Sequence, residues 1–422
     1  MNGSIQNPML SKAGALVKHI KSQQIDRDEA KKSHPTFYRN LEEALDVRRG
    51  TQSLFSIVQS NWQTKNAVDF CSNDYLSWNT TGLIRTHFLD ELSRYPDFSV
   101  AAGGSRVMEG NYPYIEETEA EIAAAHGAEA GLITSSAFDA NVMVWTALPR
   151  PGDVIVYDAL VHASTHEGME RSLAIRKTEF LHNDVDSFRE TLLAIIDSQP
   201  LIKQGKRSII VAVESIYSME GDVCPLLDLV EIAEEVSHGH GNIQFVVDET
   251  HSTGLIGPKG YGLVCELGLE AEIAGQESIQ ILARTFFEAL TSHPLWPSAQ
   301  EKGLLSVPLA AGWEERPYLT HIVTVWPRQK YIYWLYLHLL SCSFFVLPVK
   351  QPIVPVGESR LRITFHAENT PAQVTALVEQ IFTWMEEVMD IEQGKTQKKV
   401  TRAAGEVYVW MKQEGLRGFG MV

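Results

Sequence analysis

A carboxylate and an imidazole stand three residues apart where an apolar run passes into a glycine-rich loop. Phe245-Val246-Val247 ends in Asp248, His251 follows, and glycines recur at Gly254, Gly257, Gly260 and Gly262. An acid before a glycine commonly caps a helix or closes a turn; the histidine and the repeated glycines favour a binding loop. A second run, Val156-Tyr157-Asp158, leads into Val161-His162-Ala163-Ser164. Taken alone, His162 reads as an ordinary hydrogen-bonded histidine. Ser135-Ser136-Ala137-Phe138-Asp139-Ala140-Asn141 lies where a strand pattern gives way to a helical one. Backbone N–H groups at such a helix start form a natural cradle for a phosphate.

The elements that must position these groups alternate. Short apolar runs at 131–134, 154–157, 175–180, 209–213 and 245–247 are separated by amphipathic stretches. That alternation predicts βαβ units and an α/β fold with a mostly parallel sheet covered on both faces. Ligands bind at the C-terminal ends of such strands, which is where the candidate residues fall. Helical spacing runs over 114–126 and over 35–57, where Phe37, Leu41, Leu45, Leu54 and Ile57 are available for docking. The C-terminal third changes character, with strand patterns at 322–326, 344–347 and 360–364 and a helix over 371–389. The expected organisation is an N-terminal helical segment (1–66), a large domain (67–296), a small α+β domain (297–393), and a linker and tail (394–422).

The 422 residues are 44% hydrophobic and 21% charged, as in globular proteins. A formal charge of −17 argues against nucleic acid or an anionic membrane as partner. The cysteines, Cys71, Cys224, Cys265 and Cys342, show no two-residue spacing, so no zinc site is expected and they read as reduced thiols of a cytoplasmic protein. The longest apolar stretch, 331–347, is interrupted by His338 and bounded by Lys330 and Lys350, so no membrane span is expected. Lys12, Lys18, His19 and Lys21 precede the first acid, Asp26; a plain basic N-terminus is the preferred reading and an organelle-targeting peptide the alternative.

Six segments, in order over residues 70–365, together resemble the α-oxoamine synthases, pyridoxal-phosphate-dependent enzymes of fold type I. They are Phe70-Cys71-Ser72-Asn73-Asp74-Tyr75-Leu76 with Gly103-Gly104-Ser105-Arg106, the Ser135–Asn141 stretch, the His162 motif, Glu214-Ser215-Ile216-Tyr217-Ser218-Met219-Glu220-Gly221-Asp222, the Asp248–His251 motif, and Pro355-Val356-Gly357-Glu358-Ser359-Arg360-Leu361-Arg362. The resemblance implies pyridoxal 5'-phosphate as cofactor, a small amino acid and an acyl-CoA or acyl-carrier thioester as substrates, and a homodimer. It implies that Asp248 pairs with the pyridine nitrogen, that His251 and Ser218 reach the ring hydroxyl, and that His162 stacks on the ring. A carboxylate there keeps the nitrogen protonated, so the ring can accept carbanion electrons. It further implies phosphate contacts at Ser136, Ala137 and Phe138, with Ala137 standing where the family usually has glycine. Asn73, Tyr75 and Glu214 would line the substrate side. Arg362 would hold the amino-acid carboxylate as a paired fork; the plainer alternative has Arg360 and Arg362 pointing outward from a surface strand. Within the family the resemblance is nearest to 8-amino-7-oxononanoate synthase of biotin synthesis, with serine palmitoyltransferase-like and secondary-metabolite members open.

One part of the pattern is missing. The family anchors its cofactor on a lysine that ends the strand after the aspartate strand. Lys259, Lys302, Lys330 and Lys350 follow His251, and none has that setting. Residues 263–296 read as helix nearly throughout, so the resemblance breaks between Ile273 and Ala274. The expectation is a large domain lacking two strands and the lysine, hence without an amine to tether the cofactor or move the α-proton. Lys259, in a glycine-rich turn, is expected on the surface.

Overall fold

Four of the five runs become strands of one parallel sheet; 154–157 and 209–213 are largely buried apolar runs, whereas Arg176–Phe180 is mostly charged and exposed, with Phe180 alone buried. The computed structural model describes residues 17, 20–25, 34–51, 53–54, 67–98, 101–269, 278–316 and 318–421. Its strands, in chain order, are β1 (Val68–Asp69), β2 (Val154–Asp158), β3 (Arg176–Phe180), β4 (Ile209–Glu214), β5 (Ile243–Asp248), β6 (Leu305–Ser306), β7 (Ile322–Pro327), β8 (Phe344–Phe345), β9 (Leu347–Val349) and β10 (Arg360–Thr364). By its internal contacts the chain divides into residues 78–277 and a unit joining 1–77 to 278–422. These boundaries differ from the expected 67–296, because the segment before Trp78 and the helix from Ser278 pack with the C-terminal part.

In the 78–277 unit the sheet order is β3-β2-β4-β5, all parallel. Every residue of β4 is buried. The helices Val185–Ser198 and Leu226–Ser237 bury Phe188, Leu192 and Ile195, and Leu229, Ile232 and Val236, at the three- and four-residue spacing of an apolar stripe. Each such side chain contributes roughly 1.5–3 kcal/mol by leaving water.

The fifth run fails. Residues 131–134 form no strand, Leu132 is 73% exposed, and the amide of Ile133 donates to Glu119 Oε1 at 2.6 Å. An isolated extended run cannot satisfy its backbone by a ladder, and among the described residues none pairs with it. Next to no fifth strand, β5 is the sheet's edge among the described residues, and Phe245, Val246 and Val247 are only half-buried. The helix Ala137–Ala147 is apolar along most of its length yet buries Trp145 alone, leaving Phe138 and Met143 exposed. The break between Ile273 and Ala274 itself lies outside the described residues.

The other unit is built on an antiparallel sheet in the order β6-β7-β10-β9. The helix Pro371–Glu392 starts with a capping box, Thr370 with Gln373, and a proline in its first turn. Its buried Val374, Leu377, Ile381, Trp384 and Met385 share a core with Phe286, Phe287, Leu335 and Leu361. Two expectations are corrected here. Residues 394–422 are more than linker and tail: Arg402–Gln413 is a helix that buries Ala403, Ala404, Val407, Tyr408 and Met411. The helix Thr36–Gly50 forms but buries nothing, with Phe37 67% and Leu41 48% exposed; Ile57 lies outside the described residues. No helix among the described residues is long and apolar enough to cross a membrane.

Because Met411 is fully buried in this core, Met411→Ala is expected to cost about 2–5 kcal/mol. Urea unfolding checks this; a loss under 0.5 kcal/mol would return the C-terminal helix to the status of a tail.

Candidate active site

Strand ends deliver the first cluster. In the parallel register Glu214 stands opposite Asp248, so β4 and β5 place two carboxylates side by side. Their environments separate them. Asp248 is half-buried, which alone would raise its pKa, but its Oδ1 accepts the Thr250 amide at 2.9 Å and its Oδ2 accepts Asn141 Nδ2 at 2.8 Å. These bonds, with His251 nearby, hold it below the usual carboxylate range. Glu214 is buried and accepts the His162 amide at 2.5 Å. Burial first, then the charge of Asp248, pushes it up to about 8. At neutral pH one carboxylate is ionised and the other protonated.

Asn141 also donates to Ser164 Oγ at 3.0 Å, and Ser164 Oγ lies 2.7 Å from His162 Nδ1. The Ser164 amide donates to the same Nδ1, so His162 caps the helix Ala163–Glu170 with its own ring. A continuous chain of hydrogen bonds therefore runs from Asp248 to His162, whose ring is exposed and edge-on to Phe138 at 6.1 Å. His251 is buried; Ser218 is half-buried in the loop after β4. Ser136 caps the helix Ala137–Ala147 through the Asp139 amide, leaving Ala137 and Phe138 to present the helix's first N–H groups. Ser135 and Ser136 also donate to Asp139, which is held below its ordinary pKa by them.

The four lysines of the 78–277 unit, Lys177, Lys203, Lys206 and Lys259, are all exposed, and Lys259 sits in a tight turn at φ 50°.

The second cluster belongs to the other unit. Arg362 is 5% exposed; its Nη2 donates to Asn73 Oδ1 at 3.2 Å and lies 3.5 Å from the Tyr75 hydroxyl, while its buried Nε has no partner. A guanidinium this buried with an unspent donor suits a carboxylate ligand. The outward-facing alternative is excluded, since Arg360 is also buried, stacked on Trp326 at 3.8 Å and bonded to Glu358.

Sequence reasoning missed Asn141, which joins Asp248 to Ser164, and His182, which sits between Asp158 and Asp222. The available signal for His182 was position: like His162 and His251, it follows a strand end.

Comparisons with known proteins give the family and the fold. The aminotransferase class I and II profile matches residues 65–287. Aminoacyl transferase sphA of Byssochlamys spectabilis is 45% identical over 90% of this chain and 94% of its own length. The 8-amino-7-oxononanoate synthase of Emericella nidulans is 46% identical over 54% of each chain. Serine palmitoyltransferase from S. paucimobilis, solved with pyridoxal phosphate and myriocin, superposes with a TM-score of 0.60 at 20% identity, covering 76% of this chain and 87% of that one; this likeness is one of fold. The sphA alignment spans 442 positions, more than the 422 residues here, so that relative carries stretches with no counterpart in this chain.

Glu214 generates a pH prediction. A carboxyl raised on folding adds stability that is full below its unfolded pKa, near 4.5, and lost as pH climbs through about 8. Glu214→Gln, which keeps the acceptor for His162, is therefore expected to melt with the wild type at pH 5 and above it at pH 9. Equal melting at both values would refute the raised acid.

Proposed function

The chain belongs to the aminotransferase class I and II family, in its α-oxoamine synthase branch, and from this we propose a pyridoxal-phosphate-dependent C-acyltransferase architecture that, in this chain, binds cofactor without completing turnover. The architecture serves the joining of a small amino acid to the acyl carbon of a thioester, with release of the thiol and carbon dioxide. When bound, the cofactor supplies a cationic ring that stabilises negative charge at the amino acid's α-carbon. The observation that carries the reading is the Asp248–Asn141–Ser164–His162 chain, an ionised carboxylate hydrogen-bonded through to an exposed imidazole. This donor set fits pyridoxal phosphate: Asp248 would keep a proton on the ring nitrogen, and His162 would offer its ring face. Ser218 and His251 would serve the ring hydroxyl. The N–H groups of Ala137 and Phe138, with the Ser136 hydroxyl, would take the phosphate. Arg362, supported by Asn73 and Tyr75, would hold the amino-acid carboxylate.

The missing piece is a base for the α-proton. The four lysines of the 78–277 unit face solvent, and Glu214, at about 8, is protonated at neutral pH. The 442-position alignment, longer than this chain, supports sequence in that relative that this chain lacks. The 45% identity to sphA over 90% of this chain, against 27% to a putative 8-amino-7-oxononanoate synthase of Desulforudis audaxviator over 82%, supports an aminoacyl transferase over a biotin-pathway enzyme. A second copy of the chain is the proposed partner, supported by exposed Leu83, Ile84, Phe88 and Leu89 on a helix that buries nothing.

Two measurements test this reading. Pyridoxal phosphate should quench tryptophan fluorescence saturably, and Asp248→Asn should weaken that binding at least about tenfold, the value of one lost charge-assisted contact. Borohydride treatment of the loaded chain, followed by peptide mapping, should give no pyridoxyl-lysine. A stoichiometric adduct on Lys259 would overturn the loss of turnover, and absence of any binding would overturn the cofactor assignment.

A further inference from the structure

We propose that His182 is a positioning residue, a histidinium clamped between Asp158 and Asp222 that ties the turn leading into His162 to the loop bearing Ser218. His182 follows β3; its Nδ1 lies 2.8 Å from Asp158 Oδ1 and its Nε2 lies 2.9 Å from Asp222 Oδ2. A ring with a carboxylate on each nitrogen satisfies both only by carrying both protons. Burial pulls the ring's pKa down, but the two carboxylates outweigh it and carry it up to about 10. The Asn183 amide at 3.4 Å and the edge-on Tyr217 ring at 4.5 Å also face the ring, neither charged at neutral pH.

Each arm of the clamp ends on a segment carrying a proposed cofactor contact. Asp158, fully buried at the end of β2, accepts the Leu160 amide at 2.8 Å and so shapes the turn that delivers His162. Its Oδ2 accepts the amide of Asn183, which adopts φ 51° to present it. Asp222 closes the 216–223 loop: the Tyr217 amide donates to its carbonyl at 3.1 Å, Gly221 N–H donates back to Tyr217, and Ile216 bridges Val223. Ser218 lies at the tip of that loop. Without a cation between them, Asp158 and Asp222 are two anions facing each other across a partly buried site. The clamp stands on geometry alone; its importance for cofactor rests on the reading above.

The wild-type protein itself gives the first readout. Nitrogen-15 NMR of the His182 ring should show both nitrogens protonated at pH 8, with titration near 10; a single tautomer, or titration near 6.5, overturns the clamp. Next, His182→Gln should speed amide hydrogen exchange by about tenfold or more in 159–164 and 216–223, with the remaining sheet amides unchanged. Unchanged exchange in those two segments, or a uniform rise everywhere, overturns it. Should His182→Gln not fold, Asp222→Asn releases one arm and is expected to loosen 216–223 while sparing 159–164. Pyridoxal phosphate affinity of the variant should fall about tenfold; affinity equal to wild type removes the positioning role even if the ring is charged. A wild type that binds no cofactor sinks the functional reading and leaves the NMR and exchange results to decide the clamp.

Discussion

Everything at the candidate site depends on keeping one carboxylate ionised at the end of a covered parallel sheet. Transfer of an anion into such a place is costly unless it is bonded and balanced. Asp248 meets the requirement with an amide from Thr250 and the side chain of Asn141, and its in-register neighbour Glu214 meets it differently, by staying protonated. Two carboxylates side by side cannot both be charged at modest cost. The sheet register thus sets the electrostatics, and the electrostatics set what ligand charge the strand ends accept.

The same sheet shows why part of the molecule was readable from its residues. β2, β3, β4 and β5 fall within two or three residues of the runs that announced them; β2 and β4 do so as continuous, largely buried β-branched stretches, whereas β3 is, among the described residues, a polar edge strand with Phe180 alone buried. Asp248 and His251 were readable because they stand three residues apart at the end of one strand. Residues 131–134 carry the same composition and form no strand, because a strand exists only with a neighbour and none among the described residues supplies one. The helix Arg402–Gln413 was hidden by the charged stretch before it, although Ala403, Val407 and Met411 already had four-residue spacing. His182 reaches partners 24 and 40 residues away, and no local pattern encodes such a meeting.

Two units with different sheets divide the chemistry. The parallel sheet presents groups suited to a phosphorylated aromatic ring, whereas the antiparallel sheet buries a guanidinium with an unspent donor. Each cluster is assembled within its own unit by contacts that need no lysine. The residues of each cluster are thus held in place independently of the other cluster.

The half-covered β5 has a consequence for assembly. Its outer row of amides and carbonyls has no described ladder partner, and a bare edge of this kind templates further strands. Self-association nucleated there would grow by main-chain pairing, so raising ionic strength would do little to dissolve it, whereas a proline or an inward charge placed on that strand would stop its growth.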